Sequence, residues 1–271
     1  AGRCRPRIAI FRARWPPPVL PSHELPLRQR LLPLCRRLIR AIGTGRRSRV
    51  AVCLPHEQRV GRGVRPRSTA RRLVVEGIDD IHGVDGAYVD LPPFLREKGR
   101  FAARDLGTPF DLGRRFSLVT CLEVGEHLHA AAADVLVDNI ARHGDAVFFS
   151  AATPGQGGEH HVNEQPIEYW IEHFRRRGFE IFDPIRPRLV GAQGVEPWYR
   201  CNLLLFVRGA DLGRLSGQAT STRIAPGAGV ASFESIGWRS RHALLRHLPA
   251  GWIHRLARMK HNMLATLRPK A

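Results

Sequence analysis

The chain has 271 residues, 43% of them hydrophobic, and a formal net charge of +19. That length supports one sizeable core with appendages, and no run approaches the roughly 18 apolar residues that a membrane-spanning helix needs. Divided by region, the charge stops reading as a nucleic-acid signal: residues 1–77 carry +16, residues 78–208 carry −5 and residues 209–271 carry +8. A basic tail binds phosphate without reading sequence, so no specific nucleic-acid partner is expected of the mildly acidic middle. The five cysteines (Cys4, Cys35, Cys53, Cys121, Cys201) are widely spaced with no C-x-x-C pair. That spacing argues against a zinc ribbon or a disulfide framework and for a reducing, cytoplasmic compartment.

Residues 1–77 hold 19 Arg, no Lys and 9 of the 20 prolines. Their periodicity is poor, as in a basic arm without regular structure. Leu31–Ile42 fits a short basic helix and Arg49–Leu54 a short strand. The first residue is Ala, not Met, which fits a fragment or a processed form. The Arg-rich start superficially resembles an organelle transit peptide, but Pro16-Pro17-Pro18 and Pro33 break any long amphipathic helix.

From Ile78 the texture changes. Ile81–Asp85 and Phe101–Asp105 each read as a short strand ending in an acid, with Pro92-Pro93 interrupting the crossover between them. Phe116–Cys121 reads as a third strand, and Leu122-Glu123-Val124-Gly125-Glu126-His127-Leu128 follows at once. Val124, Leu128, Ala131, Val135, Leu136 and Ile140 recur at helical steps and stop at Gly144. Ala146–Ser150 is a buried strand. A polar loop, Ala151–Gln165, leads to a helix opened by Pro166, with acids early and Arg175-Arg176-Arg177 late, in the order that complements its dipole. Phe179–Ile185 and Asn202–Val207 are further strands with no helical pattern between them, so antiparallel pairing is expected. Residues 209–232 read as a Gly/Ser/Ala/Thr-rich linker. Trp238–Leu267 reads as a basic helical tail that docks on the domain, or alternatively touches an anionic membrane surface weakly.

An α/β protein gathers its ligand groups just past the carboxyl ends of parallel strands. Asp85, Asp105 and the Cys121-Leu122-Glu123 segment stand at three such ends. Residues 78–207 resemble the class I S-adenosylmethionine-dependent methyltransferases, and among them bacterial small-molecule enzymes. Three blocks carry the resemblance: Gly83-Val84-Asp85-Gly86-Ala87-Tyr88-Val89-Asp90, Leu122-Glu123-Val124-Gly125-Glu126-His127-Leu128 and His161-Val162-Asn163-Glu164-Gln165.

The resemblance implies a Rossmann-like, doubly wound, mostly parallel α/β sheet with an antiparallel last strand, and S-adenosylmethionine as cofactor. Asp85 followed by Gly86 would hold the ribose hydroxyls, and Asp105 with the Leu106 amide the adenine. Cys121 and Glu123 would wall the methionine moiety, with His127 one turn further on, either at the ligand or bonding its own neighbours. The partner would be a small-molecule methyl acceptor with a hydroxyl or amine, such as a sugar, a lipid-linked compound or a secondary metabolite. His161 is the candidate base, since imidazole titrates near neutrality, and Glu164 would orient it or cap the next helix. His160, His161 and Glu164 lie on one short loop without a fourth ligand, so no metal is expected.

The departure from the family lies upstream. A Gly-rich loop of the type D-x-G-C-G-x-G belongs 15–22 residues before Asp85, where only glycine lets the backbone approach the cofactor. That window reads Gly63-Val64-Arg65-Pro66-Arg67-Ser68-Thr69-Ala70. Two readings follow: a diverged, inactive relative, or a segment of 77 residues translated out of frame from a GC-rich gene, the second being preferred. On either, the sheet lacks a normal first strand. The competing functional reading is a non-catalytic basic binding protein on a degenerate methyltransferase domain.

Overall fold

A computed structural model describes residues 49–53, 80–88, 100–158, 160–190 and 197–245. Eight strands form one sheet: β1 (Arg49–Cys53), β2 (Asp80–Asp85), β3 (Phe101–Ala103), β4 (Leu118–Leu122), β5 (Ala146–Ser150), β6 (Phe179–Phe182), β7 (Leu204–Arg208) and β8 (Arg223–Ile224). Their order across the sheet is β3-β2-β1-β4-β5-β7-β6-β8. The first five run parallel, and β7 is inserted antiparallel between β5 and β6. This is the Rossmann-like sheet with an antiparallel late strand, and the strand order reverses between β1 and β4, where such sheets bind ligands.

The expectation of a missing first strand is corrected. Arg49–Cys53 lies at the centre of the sheet, pairing Cys53 with Val84 on one side and with Cys121 on the other. The short strand read at Arg49–Leu54 is thus present as Arg49–Cys53, and it fills the position that was expected to be empty. The arm therefore contributes to the domain. The proposed Gly-rich window, Gly63–Ala70, lies outside the described residues, as do Leu31–Ile42 and the tail beyond residue 245.

Between Gly125 and Ala132 the chain makes two 3₁₀ turns, Gly125–His127 and Ala130–Ala132, and α1 starts only at Ala133, ending at His143. The expected helix thus begins a full strand-to-helix loop later. His129, with φ −59° and ψ 148°, is extended and interrupts it. Leu136, Val137, Ile140 and Ala141 of α1 are buried at the three- and four-residue steps of one helix face. Helix α2 (Ile167–Arg175) lays Trp170, Ile171 and Phe174 on the sheet. Phe149 of β5 meets the Trp170 ring at 5.0 Å and the Phe174 ring at 5.2 Å, and Phe174 stacks on Phe206 of β7 at 4.1 Å.

Two short helices, Arg186–Leu189 and Pro197–Asn202, interrupt the β6–β7 connection, yet the pair is antiparallel as the sequence indicates. The stretch expected to be a linker is partly built into the domain: β8 pairs with β6, and Ala219 is buried. Of the basic tail, the helix Ile236–Leu245 is described. Among the described residues no helix is long and apolar enough to cross a membrane.

Candidate functional site

The carboxyl ends of β2, β3 and β4 open onto one cavity of about 440 Å³. Asp85, Gly86, Asp105 and Leu106 line one side of it, and Val124, His127 and Leu128 the other. Asp85 is only 2% exposed. Its Oδ1 accepts from the Gly86 amide at 2.7 Å and from the Tyr88 hydroxyl at 3.0 Å. Burial and the Asp85 charge beside it push the Tyr88 phenol up to about 12, so this tyrosine stays protonated and keeps donating.

At the end of β3, the Asp105 side chain accepts from the Gly107 amide at 2.8 Å, which turns the chain sharply beside the cavity. The loop that follows is pinned from below by Asn139 of α1, a buried amide. Its Nδ2 donates to the Thr108 carbonyl at 2.9 Å and to the Leu106 carbonyl at 3.4 Å, and its Oδ1 accepts from the Phe110 amide at 3.0 Å. Asn139 is a positioning residue that sequence reasoning missed; the one signal for it was a polar residue on an apolar helix face.

Two expected wall residues lie elsewhere. Cys121 is fully buried beside Cys53, and the neighbouring thiol together with burial raises its pKa well above the usual range. It faces the core because the side chains of a strand alternate between faces. Glu123 turns away from the cavity lining into a polar knot: its carboxylate accepts from Gln156 Nε2 at 2.7 Å and from Asn202 Nδ2 at 2.9 Å. Burial raises its pKa, opposed by hydrogen bonds from Ser150, Gln156 and Asn202. Glu123 (φ 55°) and His160 (φ 57°) are the non-glycine residues with left-handed backbone among the described residues, and both sit at this site, where such strain tends to gather.

The turn Gly125–His127 is zipped to the loop that carries His161. The Glu126 carbonyl accepts from the amides of Val162 at 2.9 Å and Asn163 at 3.0 Å. His127 Nδ1 lies 3.2 Å from the His160 carbonyl, and the His127 and His161 rings meet edge-on at 5.0 Å. Two glycines permit this approach. A Cβ on Gly125 would come within 2.7 Å of the Trp170 indole, and one on Gly158 would collide with the His161 ring.

His161 Nδ1 lies 2.8 Å from Glu164 Oε1, and the Glu164 carboxylate also accepts the Gly155 amide at 2.9 Å and the Gly157 amide at 2.7 Å. Burial would raise the Glu164 pKa, but His161 and these amides outweigh it and hold the group below the usual range. Glu164 therefore orients His161 and folds the glycine loop. The alternative reading of it as a helix cap fails, because Pro166 caps α2 without any side-chain bond. His161 and Glu164 do not line the main cavity; they adjoin it through His127.

Glu126 was overlooked by sequence reasoning. It is fully buried, and neither carboxylate oxygen reaches a hydrogen-bond partner. Burial and the Glu123 charge push its pKa well up, which the nearby amides of Glu126 and Ala152 only partly offset.

No protein-family model and no curated protein matches the chain. Solved structures do. Magnesium protoporphyrin IX methyltransferase from Synechocystis PCC 6803, with bound S-adenosylhomocysteine, is 18% identical over 67% of this chain and 84% of that one, with a TM-score of 0.44. The methyltransferase domain of a bacterial Hen1 is 15% identical over 67% of this chain and 99% of that one, at 0.42. A phosphoethanolamine N-methyltransferase from Haemonchus contortus is 18% identical over 58% and 40%, at 0.41. The strand order and the late antiparallel strand by themselves define a Rossmann-like, doubly wound, mostly parallel α/β sheet.

Proposed function

We propose that the chain is an S-adenosylmethionine-dependent methyltransferase acting on a small-molecule hydroxyl or amine, of sugar, lipid-linked or secondary-metabolite type. The observation that carries this reading is the single cavity holding Asp85 and Asp105 at one side and His127 at the other. Its donor set suits the cofactor. A buried carboxylate at the end of β2 offers acceptors to a pair of vicinal hydroxyls, and the cofactor's ribose would displace the Tyr88 hydroxyl from Asp85. Asp105 and the Leu106 amide offer an acceptor and a donor to a purine edge.

When bound, the cofactor supplies an electrophilic methyl group on a sulfonium. The protein's share is proximity and orientation. Asp85 and Asp105 fix the two ends of the nucleoside, and Asn139 holds the loop beneath it. The His161–Glu164 pair deals with the proton of the acceptor, across His127 from the cavity. The acceptor's proton would pass by way of that pair to solvent. The acidic middle of the chain favours a small molecule over a nucleic acid, and the buried thiols Cys53, Cys121 and Cys201 suit a cytoplasmic location.

Labelled methyl transfer from S-adenosylmethionine to a panel of small hydroxyls and amines tests the reading. Turnover that His161→Ala removes while S-adenosylhomocysteine binding survives supports it. Steeply salt-dependent phosphate binding that persists in Asp85→Ala, with no turnover, supports the basic binding protein instead.

A further inference from the structure

We infer that Glu126, His127 and His161 form a two-histidine, one-carboxylate site for a divalent first-row transition ion, placed at the acceptor end of the cavity. One ligand atom from each residue lies within 4.8 Å of the other two. Some point is therefore within about 2.8 Å of all three, against metal bonds of about 2.0–2.2 Å to nitrogen or carboxylate oxygen. Side-chain rotation of under about 1 Å closes that gap.

Three further observations point to a cation there. The Glu126 carboxylate is fully buried and both its oxygens lack a hydrogen-bond partner, a costly arrangement unless something charged meets it. The His127 and His161 rings, which meet edge-on at 5.0 Å, belong to the same cluster as this acid. One buried acid and two imidazoles thus gather at one point. Finally, Glu164 bonds His161 through Nδ1, the carboxylate–histidine arrangement that leaves Nε2 as the lone-pair nitrogen and orients a metal-bound imidazole.

The site is preorganised. The backbone bonds from Val162 and Asn163 to the Glu126 carbonyl hold the two halves of the ligand set together. Two imidazoles disfavour magnesium and calcium, which take oxygen ligands, and suit zinc, manganese, cobalt or iron(II). Three protein ligands leave coordination positions open for an acceptor oxygen, whose proton the ion would make easier to lose. This inference rests on the methyltransferase reading for its purpose, not for its existence. On it, His161 handles the acceptor's proton by holding the ion.

The test is calorimetric titration of the chelator-treated chain with zinc, manganese and cobalt(II), beside a separate titration with S-adenosylhomocysteine. Exposed histidines elsewhere bind metal weakly, so the comparison is between variants. The wild type should show one tight site that Glu126→Gln and His161→Ala each remove. Glu164→Gln should weaken it ten- to hundredfold, and His129→Ala, an exposed neighbour, should leave it intact. Cobalt bound there should give a visible absorption band that the first two variants lose. A Glu126→Gln chain that melts like the wild type and binds every ion equally well overturns the inference. Cofactor binding without the tight metal site refutes the metal alone; the metal site without cofactor binding refutes the methyltransferase reading alone.

Discussion

At the scale of the residue, the cofactor side rests on a few charged and amide groups whose loss is measurable. Hydrogen bonds to a charged group contribute about 1.5–3 kcal/mol each. Asp85→Ala should therefore weaken S-adenosylhomocysteine binding at least tenfold by calorimetry, whereas Tyr88→Phe removes only a hydroxyl that the ribose displaces and should change it less than about threefold. Asn139→Ala strands the carbonyls of Leu106 and Thr108 and the Phe110 amide. It should cost roughly 1–3 kcal/mol in denaturant unfolding and weaken cofactor binding by loosening the adenine-side loop. Asp85 and Asp105 were legible in the sequence because a strand end is marked by where an apolar run stops. Glu126 was not, because its isolation depends on Val162 and Asn163 closing over it from more than thirty residues away. Cys121 misled for a related reason: position at a strand end does not say which face the side chain takes.

At the scale of the element, α2 locks the β5–β7 half of the sheet through an aromatic cluster. Trp170→Ala removes a side chain that is 1% exposed and should destabilise the fold by about 3–5 kcal/mol, read from the shift in denaturant midpoint at constant slope. Gly125→Ala should act on the same contact from the other side, since its methyl would meet the indole at 2.7 Å. At the amino end of β5, Asp145 ties that strand to the end of β7: Arg208 Nη2 reaches its Oδ1 at 2.8 Å and Arg115 its Oδ2 at 2.6 Å. Burial works against the charged form, but Arg208 and Arg115 outweigh it and depress the carboxyl's pKa. A depressed pKa stabilises the fold at pH above the ordinary aspartate value of about 3.9, and that contribution is lost as pH falls through the folded value. Below about pH 5 the wild type should progressively lose on the order of 1 kcal/mol that Asp145→Asn lacks at every pH, so the two stability curves converge in acid. Helical periodicity located α1 and α2, but the delayed start of α1 was hidden because 3₁₀ turns preserve an apolar spacing close to that of an α-helix.

At the scale of the whole molecule, the alternation of apolar runs and amphipathic helices from residue 78 to 207 was enough to read the sheet and its antiparallel insertion. The short strand read at Arg49–Leu54 forms as Arg49–Cys53, but its place at the centre of the sheet was hidden, because parallel pairing on both flanks is a tertiary fact. Its place between β2 and β4 puts Cys53 at the cavity end of the sheet. The mildly acidic stretch 78–208 lies between basic ends, the first of which also supplies the central strand. The most direct measurement of the central claim is titration calorimetry of S-adenosylhomocysteine into the purified chain and its Asp85→Ala variant. Saturable binding in the micromolar range that the variant loses is the predicted result. A folded chain that shows no binding, or binding that Asp85→Ala leaves unchanged, contradicts the cofactor site and with it the methyltransferase reading.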